Sequence, residues 1–303
     1  MKLIHGLVLP LLLLFSLPTL ASGTSTPGDE PSSVGVALGS GGAGGLAHIA
    51  ILRVFDEQGR RPDALAGSSI GAVIGALYAS GLSADEIYDI FDDFAGSELD
   101  ALSQLMRPSS DLTLRDLLKL DFGDGGLIDP DGFLEFLAGK IEARRFDDFA
   151  IPLEVVATDY WTGEMVVIDE GELFPAIKAS MAVPGLFPPV RRGEQLLIDG
   201  GTSNPLPFDL LTGRYDMVVA VDVSGARQRG EHDEPGLTDL LFSTFEIMQQ
   251  SLITAQMRYV QPDIYLKPDT SDVRLLHFHK IDLILEQAAP EAEALREALL
   301  QAP

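Results

Sequence analysis

The sequence predicts an α/β fold in which a parallel or mixed β-sheet carries helices on both faces. Three observations support this prediction. Short apolar segments of strand length alternate along the chain with longer segments that have helical periodicity. Glycine-rich turns stand between the first two strands and the helices that follow them. With 303 residues, 46% of them apolar, the chain is long enough to bury one large core.

The first part of the predicted core consists of two strand–helix units. Val34–Leu38 is short and apolar, as a buried parallel strand is, and Leu46–Gln58 has the apolar spacing of an amphipathic helix. The second unit repeats this order, with a strand that ends at Ala66 and a helix over Ile70–Ser80. The next helix begins at Ser83-Ala-Asp-Glu86, which is a capping box.

The rest of the predicted sheet follows in shorter steps. Leu153–Thr158 and Met165–Ile168 are joined by a polar turn, as in a hairpin, and Leu186–Val190 is an apolar, proline-rich wall. Residues 96–128 either complete the core as a short helix with loops or form a lid, and both interpretations stay open. The remaining predicted elements are helices over 130–141, 174–181, 237–259 and 278–301, the last broken near Pro290, and strands over 195–198, 217–223 and 263–266.

The amino terminus has the composition of a secretory signal. Met1 and Lys2 precede an apolar segment over 3–20, and Ala21 ends a small-residue cleavage site. We therefore predict a signal peptide over residues 1–21 that is cleaved on export, with the protein periplasmic or secreted. The composition predicts a disordered spacer over residues 22–33 and one folded domain over residues 34–303.

The charge and the cysteine content exclude several classes of protein. The formal net charge of −25 becomes −26 once Lys2 leaves with the signal, and it opposes binding to nucleic acid and to anionic lipid headgroups. A transient membrane contact stays open if it is hydrophobic. The chain has no cysteine, which excludes disulfides and a thiol nucleophile. We predict no metal and no cofactor, and the oligomeric state is left open.

A glycine loop, Gly39-Ser-Gly-Gly-Ala-Gly-Gly45, joins the first strand to its helix and would present several backbone N–H groups to one anion. Gly39, Gly41 and Gly44 match the dinucleotide-binding pattern, which requires an acidic residue at the end of the second strand. Asp63 instead lies at the beginning of that strand. The other use of such a loop, an oxyanion hole for a serine hydrolase, is therefore favoured.

The pentapeptide Gly67-Ser-Ser-Ile-Gly71 joins the second strand to its helix and has the G-x-S-x-G pattern of a nucleophile elbow. Glycines flank such a turn because the strand and the helix backbones approach closely there. The turn places the Ser69 hydroxyl at the positive end of the helix, where a developing negative charge is stabilised. The sequence therefore predicts Ser69 as a nucleophile.

A serine nucleophile needs a base. The histidines beyond the predicted signal are His48, His232, His277 and His279. Only the last two are late enough to complete a triad in the order Ser, acid, His, and they lack a strand-end context. Asp199 is the better candidate because it ends a predicted strand, and the following Gly200 and Gly201 permit close approach to Ser69. Since an ordinary aspartate is a weak base, the pocket should raise its pKa by desolvation.

Together, these motifs resemble those of the patatin-like phospholipase family over about residues 34–300. The matching stretches, in chain order, are Gly39–His48, Gly67–Gly71, Ala179–Pro189 and Asp199–Gly201. The resemblance implies a three-layer α/β/α sandwich with a central, mostly parallel sheet. It also implies a Ser69–Asp199 dyad without histidine, and hydrolysis of acyl esters of lipids. Where the family's glycine loop has Arg or Lys, this chain has Gly44.

The predicted mechanism is a two-step acyl transfer from a lipid or other ester. Ser69, deprotonated by Asp199, attacks the carbonyl carbon, and N–H groups of the glycine loop hold the oxyanion. Gly41 and Gly42 are the favoured donors, and Ala43 is a further candidate. The other motif residues are Gly39, Ser40, Gly44, Gly45, Gly67, Gly71, Gly200 and Gly201. Three alternatives stay open: a thioesterase or peptidase with the same dyad, a catalytically weak lipid-binding protein and, least favoured, a dinucleotide-dependent oxidoreductase.

Overall fold

The computed structural model describes residues 32–97, 130–225, 237–271 and 273–301, and its centre is one eight-stranded mixed sheet. The strands are β1 (Val34–Leu38), β2 (Ala64–Ser68), β3 (Leu153–Asp159), β4 (Met165–Ile168), β5 (Val190–Arg192), β6 (Gln195–Asp199), β7 (Met217–Val221) and β8 (Ile264–Leu266). The α-helices in the described parts are α1 (Ala47–Glu57), α2 (Ile70–Ala79), α3 (Ala84–Ser97), α4 (Asp131–Ala138), α5 (Leu173–Ser180), α6 (Leu237–Gln256) and α7 (Ile281–Gln301).

The strand order is β5-β6-β3-β2-β1-β7-β8, with β4 also paired to β3. The central pairs β2–β3, β1–β2, β1–β7 and β7–β8 are parallel, whereas β3–β4, β3–β6 and β5–β6 are antiparallel. The predicted mostly parallel sheet of an α/β sandwich is therefore confirmed. Parallel neighbours direct the carboxyl ends of β1 and β2, and the turns that follow them, to the same edge of the sheet.

The long strand β3 brings the carboxyl ends of β2 and β6 together. Its residues 153–156 pair with β2, and its residues 157–159 pair with β6. Strand β4 pairs with residues 155–158, which overlap both sets, so β2 and β6 must share the opposite edge of β3. Ser68 at the end of β2 lies opposite Val156, and Asp199 at the end of β6 lies opposite Ala157. The register therefore brings Asp199 next to the turn that contains Ser69.

The core lies on both faces of the sheet because alternate strand residues point to opposite sides. In β1, Val36 and Leu38 belong to the larger apolar cluster, which also includes residues of α1, α2 and α7. The intervening Ala37 belongs to a smaller cluster with Phe208 and with Ile253 of α6. Helix α6 therefore covers the face of the sheet opposite to α1.

Two predicted elements differ from the structure. The break near Pro290 was wrong, since α7 runs through this residue as one helix. A proline removes one helical N–H bond, and here the buried residues Ile284 and Leu295, on either side of the proline, hold the helix against the core. The predicted apolar wall ends in a short edge strand, β5, which a three-residue segment with two arginines does not reveal.

Several predictions concern residues outside the described ranges. They are the signal peptide over 1–21, the spacer up to residue 31, the lid or loop alternatives over most of 96–128, and the loop that contains His232. Among the helices that the structure describes, none combines the length and the apolar character needed to cross a bilayer.

Candidate active site

Ser69 occupies a strained turn between β2 and α2. Its φ of 56° and ψ of −121° make it the one non-glycine residue with positive φ in the described parts of the chain. Both flanking positions, 67 and 71, require glycine because other backbone atoms approach them closely. A Cβ atom on Gly71 would lie 2.0 Å from the Leu38 carbonyl oxygen, and one on Gly67 would lie 2.6 Å from the Gly71 carbonyl oxygen. This is the geometry of a nucleophile elbow.

A second serine, which the sequence analysis did not single out, holds the elbow in place. The Ser69 N–H donates to Ser180 Oγ at 2.9 Å, and the Ser180 hydroxyl donates to the Val156 carbonyl at 2.6 Å. Ser180 is buried at the end of α5. It therefore links the strained turn to β3, the strand that also positions Asp199. Its sequence separation of 111 residues from Ser69 gives no local signal of this role.

Asp199 ends β6 and is fully buried. Its Oδ1 accepts the Gly201 N–H at 2.7 Å, and its own N–H donates to the Ala182 carbonyl at 2.9 Å. A Cβ atom on Gly200 would lie 2.1 Å from the Val156 carbonyl oxygen, so only glycine lets the chain turn so close to β3. Oδ2 is buried and has no hydrogen bond of regular geometry, which leaves one carboxylate oxygen free to act.

The environment of Asp199 suits a base. Burial raises the pKa of the Asp199 carboxyl group to about 7, and interaction with the Ser69 hydroxyl and the Gly201 N–H opposes part of that rise. An aspartate with an ordinary pKa would accept a proton from a serine poorly near neutral pH. Because the pKa lies near 7, the group can take up and return a proton at that pH. The desolvation expected from the sequence is therefore present.

The glycine loop is anchored along its length. The Gly39 N–H continues the β1–β7 pairing to the Val221 carbonyl, and the Ser40 N–H donates to the Pro205 carbonyl. The Ser40 hydroxyl accepts from Gln249 Nε2 of α6 at 2.9 Å. This contact joins residues 209 positions apart. Gln249 is therefore a second positioning residue that the sequence pattern does not reveal.

The three predicted oxyanion donors fall into two groups. The N–H groups of Gly41 and Gly42 have no acceptor within the described ranges, so they are free to bind an anion. The Ala43 N–H instead donates to the Leu275 carbonyl at 2.8 Å, which corrects its assignment as a free donor. Gly42 has a φ of 54°, and a Cβ atom there would lie 2.6 Å from the Leu275 carbonyl oxygen. The carbonyl therefore fixes the loop and leaves two donors.

The histidines have other surroundings. His48 is buried, and its Nε2 lies 2.9 Å from the Gly39 carbonyl oxygen. Burial lowers the pKa of His48 to about 4, so the ring is neutral near pH 7 and its Nε2–H supports the loop. His277 Nδ1 accepts the Arg274 N–H. Within the described ranges, the polar partners of the Asp199 carboxyl group are Ser69 and Gly201, the partner of the Ser69 N–H is Ser180, and none of them is a histidine.

Other acidic residues have structural partners. Asp63 accepts the Val34 N–H at the amino ends of the strands, far from a dinucleotide position. Asp222 accepts from Lys267 Nζ at 2.8 Å and from the Tyr265 hydroxyl at 2.5 Å. Burial would raise the pKa of Asp222, but Lys267 and these hydrogen bonds outweigh it and lower the pKa. Among the described residues, no group of three or more His or acidic side chains is arranged to hold a metal ion.

An apolar cluster adjoins both halves of the site. Its buried members are Val183, Leu186 and Leu276, with Phe187, Phe242, Leu275 and Phe278 packed around them. It touches the Asp199 side because Val183 follows Ala182, the acceptor of the Asp199 N–H. It touches the loop side through Leu275, the acceptor of the Ala43 N–H. The candidate site thus combines a strained serine, a buried carboxylate, N–H groups without acceptors in the described ranges and an apolar wall.

A model of the patatin-like phospholipase family matches residues 36–212 of this chain, a range that contains Ser69 and Asp199. An NTE family protein of Mycobacterium tuberculosis, named as uncharacterized, is 32% identical over 213 residues, or 70% of this chain and 55% of that protein. A second one from the same organism is 30% identical over 292 residues, which are 88% of this chain and 47% of the relative. The chain thus spans about half the length of these relatives.

Two further likenesses are more distant. The patatin-like phospholipase domain-containing protein 7 of Mus musculus is 27% identical over 286 residues, which cover 84% of this chain and 20% of the mouse protein. The crystal structure of VipD from Legionella pneumophila aligns with a TM-score of 0.52 and 14% identity, covering 89% of this chain and 67% of VipD. The second likeness is one of fold.

Proposed function

Because the chain belongs to the patatin-like phospholipase family, we propose that it is a serine acyl hydrolase that cleaves carboxylic esters of lipids. The observation that best supports this function is the combination of a strained serine with a buried carboxylate. Ser69 has the backbone geometry of an elbow, and the neighbouring Asp199 has a pKa of about 7. Neither feature is needed for a turn that only connects a strand to a helix.

In the proposed reaction, Asp199 takes the hydroxyl proton while Ser69 Oγ attacks the ester carbonyl carbon. The N–H groups of Gly41 and Gly42 bind the oxyanion that forms. The C–O bond to the alcohol then breaks, Asp199 returns its proton to the leaving oxygen, and an acyl-enzyme remains on Ser69. A water molecule, deprotonated by Asp199, releases the carboxylic acid by the same two steps.

The apolar cluster beside the site supports a lipid acyl chain as the acid part of the substrate. The cluster borders Asp199 on one side and the glycine loop on the other. An acyl chain bound there would gain free energy from burial, while its carbonyl group reaches the free N–H groups. Gly44 removes the side-chain cation of the family pattern, so the backbone donors are the proposed oxyanion ligands.

A substrate panel tests the proposed function. We expect wild-type protein to hydrolyse p-nitrophenyl butyrate and phosphatidylcholine, and Ser69→Ala to lose at least 10³-fold in kcat/KM. Ser80→Ala, which changes a serine at the other end of α2, is the matched control and should keep wild-type activity. Activity that survives Ser69→Ala would refute the proposal.

The same panel separates the alternative enzymes and the weak binder. A thioester or an amide hydrolysed faster than the matched ester would favour the thioesterase or the peptidase. A protein that binds acyl chains but hydrolyses none of them would be a lipid-binding protein.

We also propose export, since the composition of residues 1–21 predicts a cleaved signal. A protein recovered outside the cytoplasm with Ser22 as its first residue would support export, and an intact Met1 there would contradict cleavage.

A further inference from the structure

Helix α6 covers the active site with one face and presents an apolar face to solvent. On the inner face, Gln249 donates to Ser40 in the glycine loop, Ile253 is buried, and Phe242 packs on the apolar cluster. The outer face, as we use the term, consists of the exposed apolar residues Leu240, Leu241, Ile247, Met248 and Leu252. Their spacing places them on one side of the helix.

The outer face is unusual because it has no charge. Every exposed helical position from 240 to 255 is uncharged, and Glu246, which lies in this range, is only partly exposed. The chain as a whole is 22% charged and has a net charge of −25. Leu241 is 62% exposed and Ile247 is 61% exposed, so the face leaves large aliphatic side chains in water. Such a patch marks an interaction surface.

Beyond the carboxyl-terminal end of α6, the turn that follows the helix adds two residues typical of lipid interfaces. Arg258 is exposed, and Tyr259, the third residue after the end of the helix, is 89% exposed. A shallow depression of about 400 Å³ lies along this part of the chain and is lined by Ile247, Gln250, Ser251, Thr254, Ala255 and Arg258. Aromatic rings with a polar tip, and long cationic side chains beside an apolar helix face, favour the boundary between headgroups and acyl chains.

We propose that the outer face of α6 docks on an electrically neutral or zwitterionic lipid surface and so brings the active site to its substrate. This inference rests on the proposed function. The net charge of the chain favours a neutral lipid surface as the binding partner of the outer face, because a net charge of −25 repels both a second copy of the chain and an anionic bilayer. The contact must therefore be hydrophobic, and the opposite face of the same helix already reaches the glycine loop through Gln249.

The test measures partition onto sucrose-loaded phosphatidylcholine vesicles, using the Ser69→Ala protein so that lipid is not consumed. We expect the additional change Leu241→Gln with Ile247→Gln to lower the partition coefficient at least tenfold, because two large side chains no longer enter the lipid. Glutamine keeps the helix propensity and the charge. Leu300→Gln changes a leucine that is 74% exposed in α7, and it should leave partition unchanged.

Other outcomes would overturn the inference. The inference fails if the Ser69→Ala protein does not bind the vesicles, or if the double variant binds equally well at an unchanged melting temperature. It also fails if the protein binds phosphatidylglycerol more strongly than phosphatidylcholine, or if high salt abolishes binding. A dimer in light scattering that the double variant dissociates would show that a second copy covers the face. Hydrolysis of a soluble ester by wild-type protein is measured separately, so failed docking and a failed enzymatic function are distinguishable.

Discussion

Two glycine-rich turns follow neighbouring parallel strands of this sheet, and they use glycine for different purposes. In Gly67–Gly71, the absence of Cβ atoms lets the strand and the helix approach so closely that a serine is forced to positive φ. In Gly39–Gly45, the loop turns away from regular pairing, and two N–H groups are left without acceptors within the described ranges. One turn presents a side chain, and the other presents the backbone.

The two turns also differ in what holds them. The elbow is supported by the sheet and by Ser180, which is itself bonded to β3. The glycine loop depends on segments far away in sequence, namely the Leu275 carbonyl and Gln249 of α6. We therefore expect changes at the elbow to affect the nucleophile alone, and changes around the loop to connect the chemistry with the helix that covers it.

Asp199→Asn should have the largest effect of the variants that test this comparison. It removes the proposed base beside the elbow but leaves an oxygen that can accept the Gly201 N–H. We expect kcat to fall about 10³-fold or more, with KM little changed. Steady-state kinetics on a soluble ester measures this, and a variant with more than a tenth of wild-type kcat would show that another group is the base.

The same variant should stabilise the folded protein above neutral pH. The folded pKa of about 7 lies above the ordinary value of 3.8, so between these values the folded state binds more protons than the unfolded state. The contribution of Asp199 to stability therefore falls as the pH rises through about 7. At pH 8 we expect Asp199→Asn to melt several degrees higher, with no gain at pH 4. An equal gain at both pH values would contradict the raised pKa.

Gly42→Ala should damage the loop and spare the elbow. A Cβ atom at Gly42 would collide with the Leu275 carbonyl oxygen, and the backbone there has a φ of 54°. We expect kcat to fall about 10²-fold, as when one oxyanion donor is lost. Gly59→Ala is the control, because Gly59 has a φ of 63° and nothing within 4 Å. Equal losses of kcat in both variants would indicate general strain and would contradict the proposal that the loop donates hydrogen bonds to the oxyanion.

The pH dependence of kcat/KM separates the role of the elbow from that of the glycine loop, and it needs no substitution in the elbow. Since the base must be deprotonated, kcat/KM should rise about tenfold per pH unit below pH 7 and level off above it, because the pKa of Asp199 is about 7. Gly42→Ala should keep this midpoint while lowering the plateau. A midpoint that moves with the loop variant would mean that the titrating group belongs to the loop.

Ser180→Ala should have the smallest effect. It removes the acceptor of the Ser69 N–H and leaves the buried Val156 carbonyl without its donor. We expect kcat to fall about tenfold at constant KM, with a slower rate of acylation by a fluorophosphonate. Ser80→Ala is again the matched serine control. Unchanged acylation in a less stable protein would show that Ser180 serves folding only.

Much of the site was predictable because it follows strand ends. The elbow and the glycine loop each lie where a short apolar strand meets a helix, and local patterns reveal such junctions. Asp199 could be proposed because two glycines follow a predicted strand. The sequence could not show that β6 and β2 pair with the same edge of β3. This shared edge is the reason that Asp199 lies next to Ser69.

Contacts between distant segments account for the rest. Ser180 and Gln249 lie 111 and 209 positions from their partners in the site. Ser180 falls within the family-like stretch Ala179–Pro189, but no local pattern indicates the positioning role of either residue. Ala43 follows Gly42 in the same loop, but its N–H donates to the carbonyl of Leu275, a residue more than 200 positions away. Pro290 predicted a break that packing of α7 prevents. In each case a tertiary contact decided what the local sequence left open.

The most direct test of the proposed Ser69–Asp199 pair is labelling by a fluorophosphonate at pH 8, followed by identification of the modified peptide. We expect one modified residue, Ser69, with no labelling of Ser69→Ala and greatly slowed labelling of Asp199→Asn. His277→Ala should label at the wild-type rate. Labelling at another residue, or a folded His277→Ala that no longer labels, would contradict a Ser69–Asp199 pair as the catalytic centre.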